Sequence, residues 1–241
     1  MLEIAKTTPV LEGQAVRQKR IVPNRKLPHL DPFIRVDHFY ILGGGYAKQV
    51  HHGFEGLLYL FSGSVKHEDS VGNFFNIEAG GGELFNTGQG LIHAEIAEQK
   101  AHGIRIWIDL PSGLKYMNPE YLGFSADDIP VARNASIMER CIVGKNSPVK
   151  PQTNMDMLDV VMGKKSVYKY DIPDGYNGFL YVVVGQVKVN GREINASETF
   201  YFKDDANTKA LAILTHQGAR VLICFGEPHG NKIHAQASYV D

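Results

Sequence analysis

Residues 58–73 read LYLFSGSVKHEDSVGN, and residues 180–195 read LYVVVGQVKVNGREIN. Each has an apolar run, a glycine, a second run in which residue types alternate, and a tight turn. Alternation is the period of a strand, whose successive side chains point to opposite faces. One plan written twice, about half a chain apart, predicts two copies of one β fold. The polar stretch FSADDIPVARNAS (124–136) is the expected join, which gives domains of residues 1–124 and 125–241.

The remaining apolar runs have the same character. GIRIWIDL (103–110), SIMERCIVG (136–144), ETFYF (198–202), KALAILT (209–215) and ARVLICFG (219–226) are short and rich in β-branched and aromatic residues. SVGN (70–73), AGGG (79–82), NG (190–191) and HQG (216–218) supply turns between them. The pattern predicts an all-β sandwich or barrel. YMNPEYLGF (116–124) is the one stretch expected to hold a short helix.

The 241 residues, 44% of them hydrophobic, suffice for a sizeable core. A formal net charge of −1 argues against nucleic acid or an anionic membrane as a direct partner. The densest basic run, RQKR (17–20), reads as a solvated strand edge or loop. No apolar run is long enough to span a bilayer. MLEIAKTTPVLEG (1–13) lacks the basic start and apolar core of a secretory signal, so a cytoplasmic location is expected. Cys141 and Cys224 lie in apolar runs outside any CxxC pair and read as buried thiols.

Two stretches raise a metal. KQVHHGFEG (48–56) and GLIHAE (90–95) hold three histidines and two glutamates among β-forming residues. If both are extended, Gln49 and His51 share one face, and His93 and Glu95 share another. Two such strands lining a small barrel would aim all four inward. Imidazole nitrogen and carboxylate oxygen suit Fe(II), Mn, Ni, Cu or Zn better than Mg or Ca. The plainer alternative leaves His51 and His52 in a loop and pairs Glu95 with a lysine or arginine. Glu55 reads as an acceptor for backbone hydrogen bonds. His67, Glu68 and Asp69 read as turn-capping and surface groups. Phe54, Phe85 and Trp107 read as packing residues around any such site. His102 reads as a loop histidine. His216, His229 and His234 form no HxH or HxE pair, and GFLYVVVGQVKVNG (178–191) holds no histidine, so no second metal is expected.

DPFIRVDHF (31–39), HHGFEGLLYLFSGSVKHEDSVGN (51–73), NTGQGLIHAE (86–95) and AHGIRIWIDLP (101–111) together resemble the pirin family of the cupin superfamily. The family pattern has HPHRGFET, an HEDS-G-N turn, an HSE or HAE motif, and a GLQLWVNLP strand. PEY (119–121), SADDIP (125–130) and FGEP (225–228) extend the likeness more loosely. The resemblance implies two cupin β-barrels packed face to face. It also implies one metal in the first barrel, usually iron, held by three histidines and a glutamate. Those ligands fall on Gln49, His51, His93 and Glu95, so this chain departs at the first histidine. His52 stands where the family usually has arginine.

The implied cofactor is one transition-metal ion, Fe(II) first and Mn, Ni, Cu or Zn as alternatives. Gln49 leaves open whether the site is filled. Some pirins resemble quercetin 2,3-dioxygenases, which implies a small aromatic substrate cleaved by O₂. In that reading Glu95 takes the proton of a substrate hydroxyl. Other pirins are regulatory cofactors, which keeps open a non-enzymatic cupin that binds a protein partner. A metal-free cupin with a structural role is the third reading.

Overall fold

The computed structural model describes residues 2–12, 15–203, 209–230, 235–236 and 239–240. His234 lies outside the described residues. The chain divides into two compact units, each built on its own antiparallel sheet. The opening strand, β1 (Leu2–Lys6), belongs to the later unit, where it pairs with Glu198–Phe202.

The first unit holds β2 (Thr8–Glu12), β3 (Val16–Val22), β4 (Phe33–His51), β5 (Phe54–Ser62) and β6 (Ser64–Asp69). β7 (Phe74–Glu78), β8 (Gly82–Asn86), β9 (Leu91–Asp109) and β10 (Glu120–Phe124) complete it. The sheet runs in the order β10-β8-β5-β9-β4-β3-β2, and β6 pairs with both β7 and β9. β4 and β9 have 19 residues each. Their pairing slips register at Phe33/Arg35, Leu42/Gly44 and Tyr46/Gln49. Each slip is a bulge that bends the ladder and re-aims the side chains beside it. Phe39, Leu58, Leu60, Val65 and Ile77 form one buried cluster. Phe54, Trp107 and Val240 form another.

The second unit holds β11 (Val131–Arg133), β12 (Ile137–Val143), β13 (Met155–Met162), β14 (Ser166–Asp171) and β15 (Asn177–Val189). β16 (Arg192–Asn195), β17 (Glu198–Phe202), β18 (Ala210–Thr215) and β19 (Ala219–Gly226) follow. Its order is β1-β17-β15-β19-β13-β12-β11, with β18 joining β14 and β15. The core is apolar: Leu158, Val160, Leu180, Val182, Val187 and Val189 are among its members. Asp159 is buried there and takes both Arg220 bonds, at 2.8 and 2.7 Å.

The repeat is visible in the backbone. Gly63 and Gly185 take nearly the same left-handed conformation, φ +80° and +85°. A Cβ on either would fall within 2.4 Å of a backbone carbonyl oxygen, that of Lys100 for Gly63 and of Gly218 for Gly185. Only glycine tolerates both constraints. Val65 and Val187, two residues past each glycine, are buried in their cores.

Several expectations change. YMNPEYLGF forms no helix: residues 120–124 are strand β10, paired with β8. Pro119 explains this, because it lacks an amide hydrogen and biases Asn118 towards extended backbone. The one helix among the described residues is a three-residue 3-10 turn, Ser112–Leu114. RQKR lies on β3, inside the sheet between β2 and β4. Gln18 is buried, and Arg20 bonds Asp37 at 2.8 Å. His102 is on β9, its ring stacked on Tyr40. Cys224 is buried and Cys141 half-buried, both as free thiols. No helix is long and apolar enough to cross a membrane.

Glu55 is buried and accepts the backbone N–H of Gln152 with both oxygens, at 3.1 and 2.9 Å. Burial lifts its pKa from 4.5 to about 7, against the pull of that N–H. A raised carboxyl pKa means that the folded chain holds the proton longer than the unfolded chain does. Glu55 therefore makes stability fall as pH rises from about 4.5 to about 7. Denaturant melts across that range should show a flatter stability profile for Glu55→Gln than for the parent.

Gly56 on β5 has the ring of Phe85 against it: a Cβ there would fall 2.1 Å from Phe85 Cζ. Gly56→Ala should cost about 1–3 kcal/mol by overpacking. The check is a lower denaturant midpoint at unchanged slope.

Candidate metal centre

Strand pairing sets out a small grid of polar side chains. On β9, His93 and Glu95 are two residues apart and share a face. Across one edge, Gln49 of β4 pairs with His93, and Tyr46 pairs with Glu95. Tyr46 and Gln49 are three positions apart, which in a regular strand would put them on opposite faces. The bulge between them restores the common face. Across the other edge, Asp69 of β6 pairs with His93, and His67 pairs with Glu95. His51 pairs with Leu91, one step further along the same face.

The alternation of the sequence thus brings Gln49, His51, His93 and Glu95 together. His51 and His93 have ring centroids 5.1 Å apart. His51 Nε2 lies 3.0 Å from Gln49 Oε1, so these two side chains are spent on each other. His93 Nδ1 is 3.4 Å from Glu95 Oε1. His52 turns away and meets Tyr116 edge-on. Phe54 and Trp107 pack on the His51 ring, and Phe85 packs on His93.

The structure adds His67. It is fully buried, not a surface cap. Asp69 is the residue that caps the turn, accepting the backbone N–H of Val71 and Asn73. One ligand atom from each of His67, His93 and Glu95 lies within 4.8 Å of the other two. His67 Nδ1 is 2.9 Å from Glu83 Oε2, and Tyr121 donates its hydroxyl to the same oxygen at 3.0 Å. The Tyr121 ring stacks on His67 at 4.3 Å. Arg105 is the other addition: its Nε is 3.5 Å from Glu95 Oε2 and its guanidinium lies over the Tyr46 ring. The arginine partner considered for Glu95 is therefore present beside the histidines. The alternation SVKHED carried the signal for His67, since Val65 points inward and His67 is two residues on.

Burial governs the charges. It pushes the Glu95 carboxyl up to about 8, against the pull of Arg105. Burial, with the positive charge of Arg105, holds His93 far below the usual histidine range, so the ring is neutral. At His67 burial pulls the pKa down, but Glu83, Glu95 and Asp69 together push it up and the net shift is upward.

Both nitrogens of His93 and both oxygens of Glu95 are buried without a hydrogen-bond partner. Such a group costs about 1–3 kcal/mol of lost solvation, more if charged. A neutral imidazole and a carboxylate with free lone pairs are what a transition-metal ion would satisfy. The donor set fits that cofactor. A cleft of about 320 Å³, lined by Lys48, Glu68, Asp69, Ser70, Ile92 and His93, opens onto it.

Residues 15–108 match the pirin family, and residues 157–240 match the pirin C-terminal cupin domain. The chain is 30% identical over 240 residues to Pirin-1 of Arabidopsis thaliana, covering 95% of this chain and 83% of that one. The fold superposes on a quercetin 2,3-dioxygenase from Acinetobacter baumannii with a TM-score of 0.88 at 22% identity, over 99% of this chain and 83% of that one. It also superposes on a bacterial pirin from Escherichia coli in complex with nickel(II), with a TM-score of 0.77 at 20% identity, over 95% and 99%. With both halves matched and its two sheets accounted for as tandem cupin domains, the chain belongs to the pirin family.

Proposed function

We propose that the first unit holds one transition-metal ion and performs dioxygenase chemistry of the quercetin 2,3-dioxygenase type on a flavonol or related enol or phenol. The observation that carries this reading is the donor set of His93 and Glu95, buried and without hydrogen bonds, beside a cleft. His51, His93 and Glu95 are the residues assigned to hold the ion, with Gln49 as a weak neutral donor or a vacated position. Two imidazoles and a carboxylate are the composition used by non-heme Fe(II) oxygenases. Fe(II) is therefore the first expectation, and the nickel(II) in a pirin of similar fold supports Ni as the next.

A bound ion would act as a Lewis acid that favours the deprotonated hydroxyl of the substrate. The chain's own groups do the rest. The cleft, at about 320 Å³, matches the lower end of small-molecule sites and admits a flat aromatic ring. Ile92 gives it an apolar wall, while Lys48 and Ser70 give it polar ones. Glu95 takes the hydroxyl proton, as a carboxylate within reach of a substrate hydroxyl can. Arg105 keeps that carboxyl oriented. Phe85 and Trp107 pack around the histidines and keep bulk water from them. The location proposed with this chemistry is cytoplasmic.

A second reading has its own observation. Gln49 stands where the family has histidine, and Arg105 places a permanent cation beside Glu95. Both weaken metal binding and would suit a regulatory cupin that engages a protein partner.

Metal analysis of protein purified without added metal, together with oxygen uptake on flavonols and simpler enols, separates the two. The dioxygenase reading expects a stoichiometric transition metal, lost in His93→Ala, and substrate-dependent oxygen consumption abolished in Glu95→Gln. Stoichiometric metal with no oxygen uptake on any substrate would refute the dioxygenase and leave the regulatory reading standing.

A further inference from the structure

Two side chains on β9 carry hydrogen-bond donors that the reading above leaves unused. We propose that Arg105 and Trp107 form a donor pair that receives a carbonyl oxygen of the substrate, so that the enol or phenol taken by this chain carries a carbonyl next to its hydroxyl. The inference rests on the dioxygenase reading and narrows its substrate class.

The donors are buried and idle. Arg105 is 3% exposed and Trp107 is 5% exposed. Nε and Nη2 of Arg105 and Nε1 of Trp107 make no hydrogen bond among the described residues. A buried donor in that state is destabilising, the more so on a charged group, and calls for an acceptor.

Their neighbours place them at the site. Arg105 Nε is 3.5 Å from Glu95 Oε2, and the Arg105 guanidinium is 5.8 Å from the centre of the Trp107 ring. That ring is 5.0 Å from the His51 ring, which is 5.1 Å from the His93 ring. His93 Nδ1 closes the circuit, 3.4 Å from Glu95 Oε1. The two donors therefore border the same interior as the residues assigned to the ion. Both are also held in place. The Arg105 guanidinium lies 4.3 Å over the Tyr46 ring, whose hydroxyl accepts Gln18 Nε2 at 2.7 Å. Phe54 stacks on Trp107 at 4.4 Å, and Arg35 lies over the same ring at 4.8 Å. Packing uses the π surface of the indole and leaves its N–H for an acceptor. Donors fixed before the ligand arrives lose little freedom on binding it.

Charge decides which kind of oxygen they take. Asp69, Glu83 and Glu95 are buried in the same interior, so a further anion would be repelled. A carbonyl oxygen accepts two hydrogen bonds and adds no charge. Geometry decides where it sits on the substrate. With the hydroxyl at Glu95, a carbonyl on the adjacent carbon puts its oxygen about one hydrogen-bond length away, ~2.7–3.0 Å. A guanidinium 3.5 Å from the same carboxylate is within reach of it. An ordered water would meet these donors too, but it gives no preference between ligands with and without the carbonyl.

The test compares 3-hydroxychromone with 2-naphthol. Both are flat bicyclic ligands with one hydroxyl, and only the first has a carbonyl beside it. Calorimetry measures binding to chelator-treated and Fe(II)-reloaded protein for the parent, Trp107→Phe and Arg105→Met. Trp107 is the chain's one tryptophan, so its fluorescence reports either ligand in the parent. The infrared C=O stretch of bound 3-hydroxychromone reports hydrogen bonding to the carbonyl. We expect the chelator-treated parent to prefer 3-hydroxychromone on the order of 100-fold. That preference should fall by about 3–10-fold in Trp107→Phe and about 10–100-fold in Arg105→Met, the loss being larger for the charged donor. The affinity of Trp107→Phe for 2-naphthol should hold, and the C=O stretch should lie lower in the parent than in either variant. Trp107→Phe carries the test if Arg105→Met does not fold. Equal affinities in the parent, or an unchanged preference in Trp107→Phe, would overturn the donor pair. A preference that holds while the Fe(II)-reloaded parent consumes no oxygen with 3-hydroxychromone would keep the donor pair and sink the dioxygenase. Oxygen consumption with both ligands at equal KM would do the reverse.

Discussion

Glu95 is a carboxylate with no access to water, and the rest of the first unit's interior is arranged around that fact. The side chains of Asp69, Glu83 and Glu95 are all fully buried, with one permanent cation, Arg105, beside Glu95 and one titratable group, His67, beside Asp69 and Glu83. Three carboxylates against one guanidinium leave two formal negative charges in a low-dielectric space. Buried charge left unbalanced costs several kcal/mol, so the chain must neutralise it. Protons on His67 and Glu95 are one route, and both groups do have raised pKa values. A divalent cation is the other route, and its charge is that of the deficit. The upward shifts and the donors left without hydrogen bonds are thus two expressions of one constraint. A polar interior of this composition is short of positive charge.

The same constraint gives meaning to Gln49. Replacing an imidazole by an amide removes a strong donor without changing charge, so the electrostatic demand for a cation survives the substitution. What changes is the cost of meeting it. The amide oxygen turns to His51 instead, and the two side chains satisfy each other. Arg105 acts in the opposite sense, since it meets part of the demand from within the chain. Whether the interior prefers an ion or protons depends on the balance between these residues, which fold alone does not set.

The architecture was legible because strand periodicity and turn chemistry are local. Alternation in KQVHHGFEG and GLIHAE placed Gln49, His51, His93 and Glu95 on facing strands before any pairing was known. The bulge that brings Tyr46 onto the same face was not legible, because a bulge is a property of a strand pair. Arg105 was hidden for a similar reason. Within GIRIWIDL it reads as one polar residue in an apolar strand, and only the fold of β9 brings it to a carboxylate ten residues earlier. YMNPEYLGF misled in the other direction: where a short helix was expected, the residues past Pro119 form an edge strand, because β8 offers them a partner.

His67 is the instructive miss, because its position was written in the repeat. Counting from the shared glycines Gly63 and Gly185, the fourth residue is His67 in one copy and Val189 in the other. Val189 is a fully buried core residue of the second unit. A position that holds a core valine in one copy faces inward in both, whatever residue occupies it. The motif HED beside a turn suggested capping, and capping is indeed what Asp69 does two residues later. Read against its sister strand, however, the histidine sits where packing demands an apolar group. A buried polar residue at such a place needs a partner of its own, and Glu83, Tyr121 and Glu95 are the groups that the fold brings to it. The two copies share a backbone and differ in what fills it: valines close one interior, while histidines and carboxylates leave the other in want of a cation.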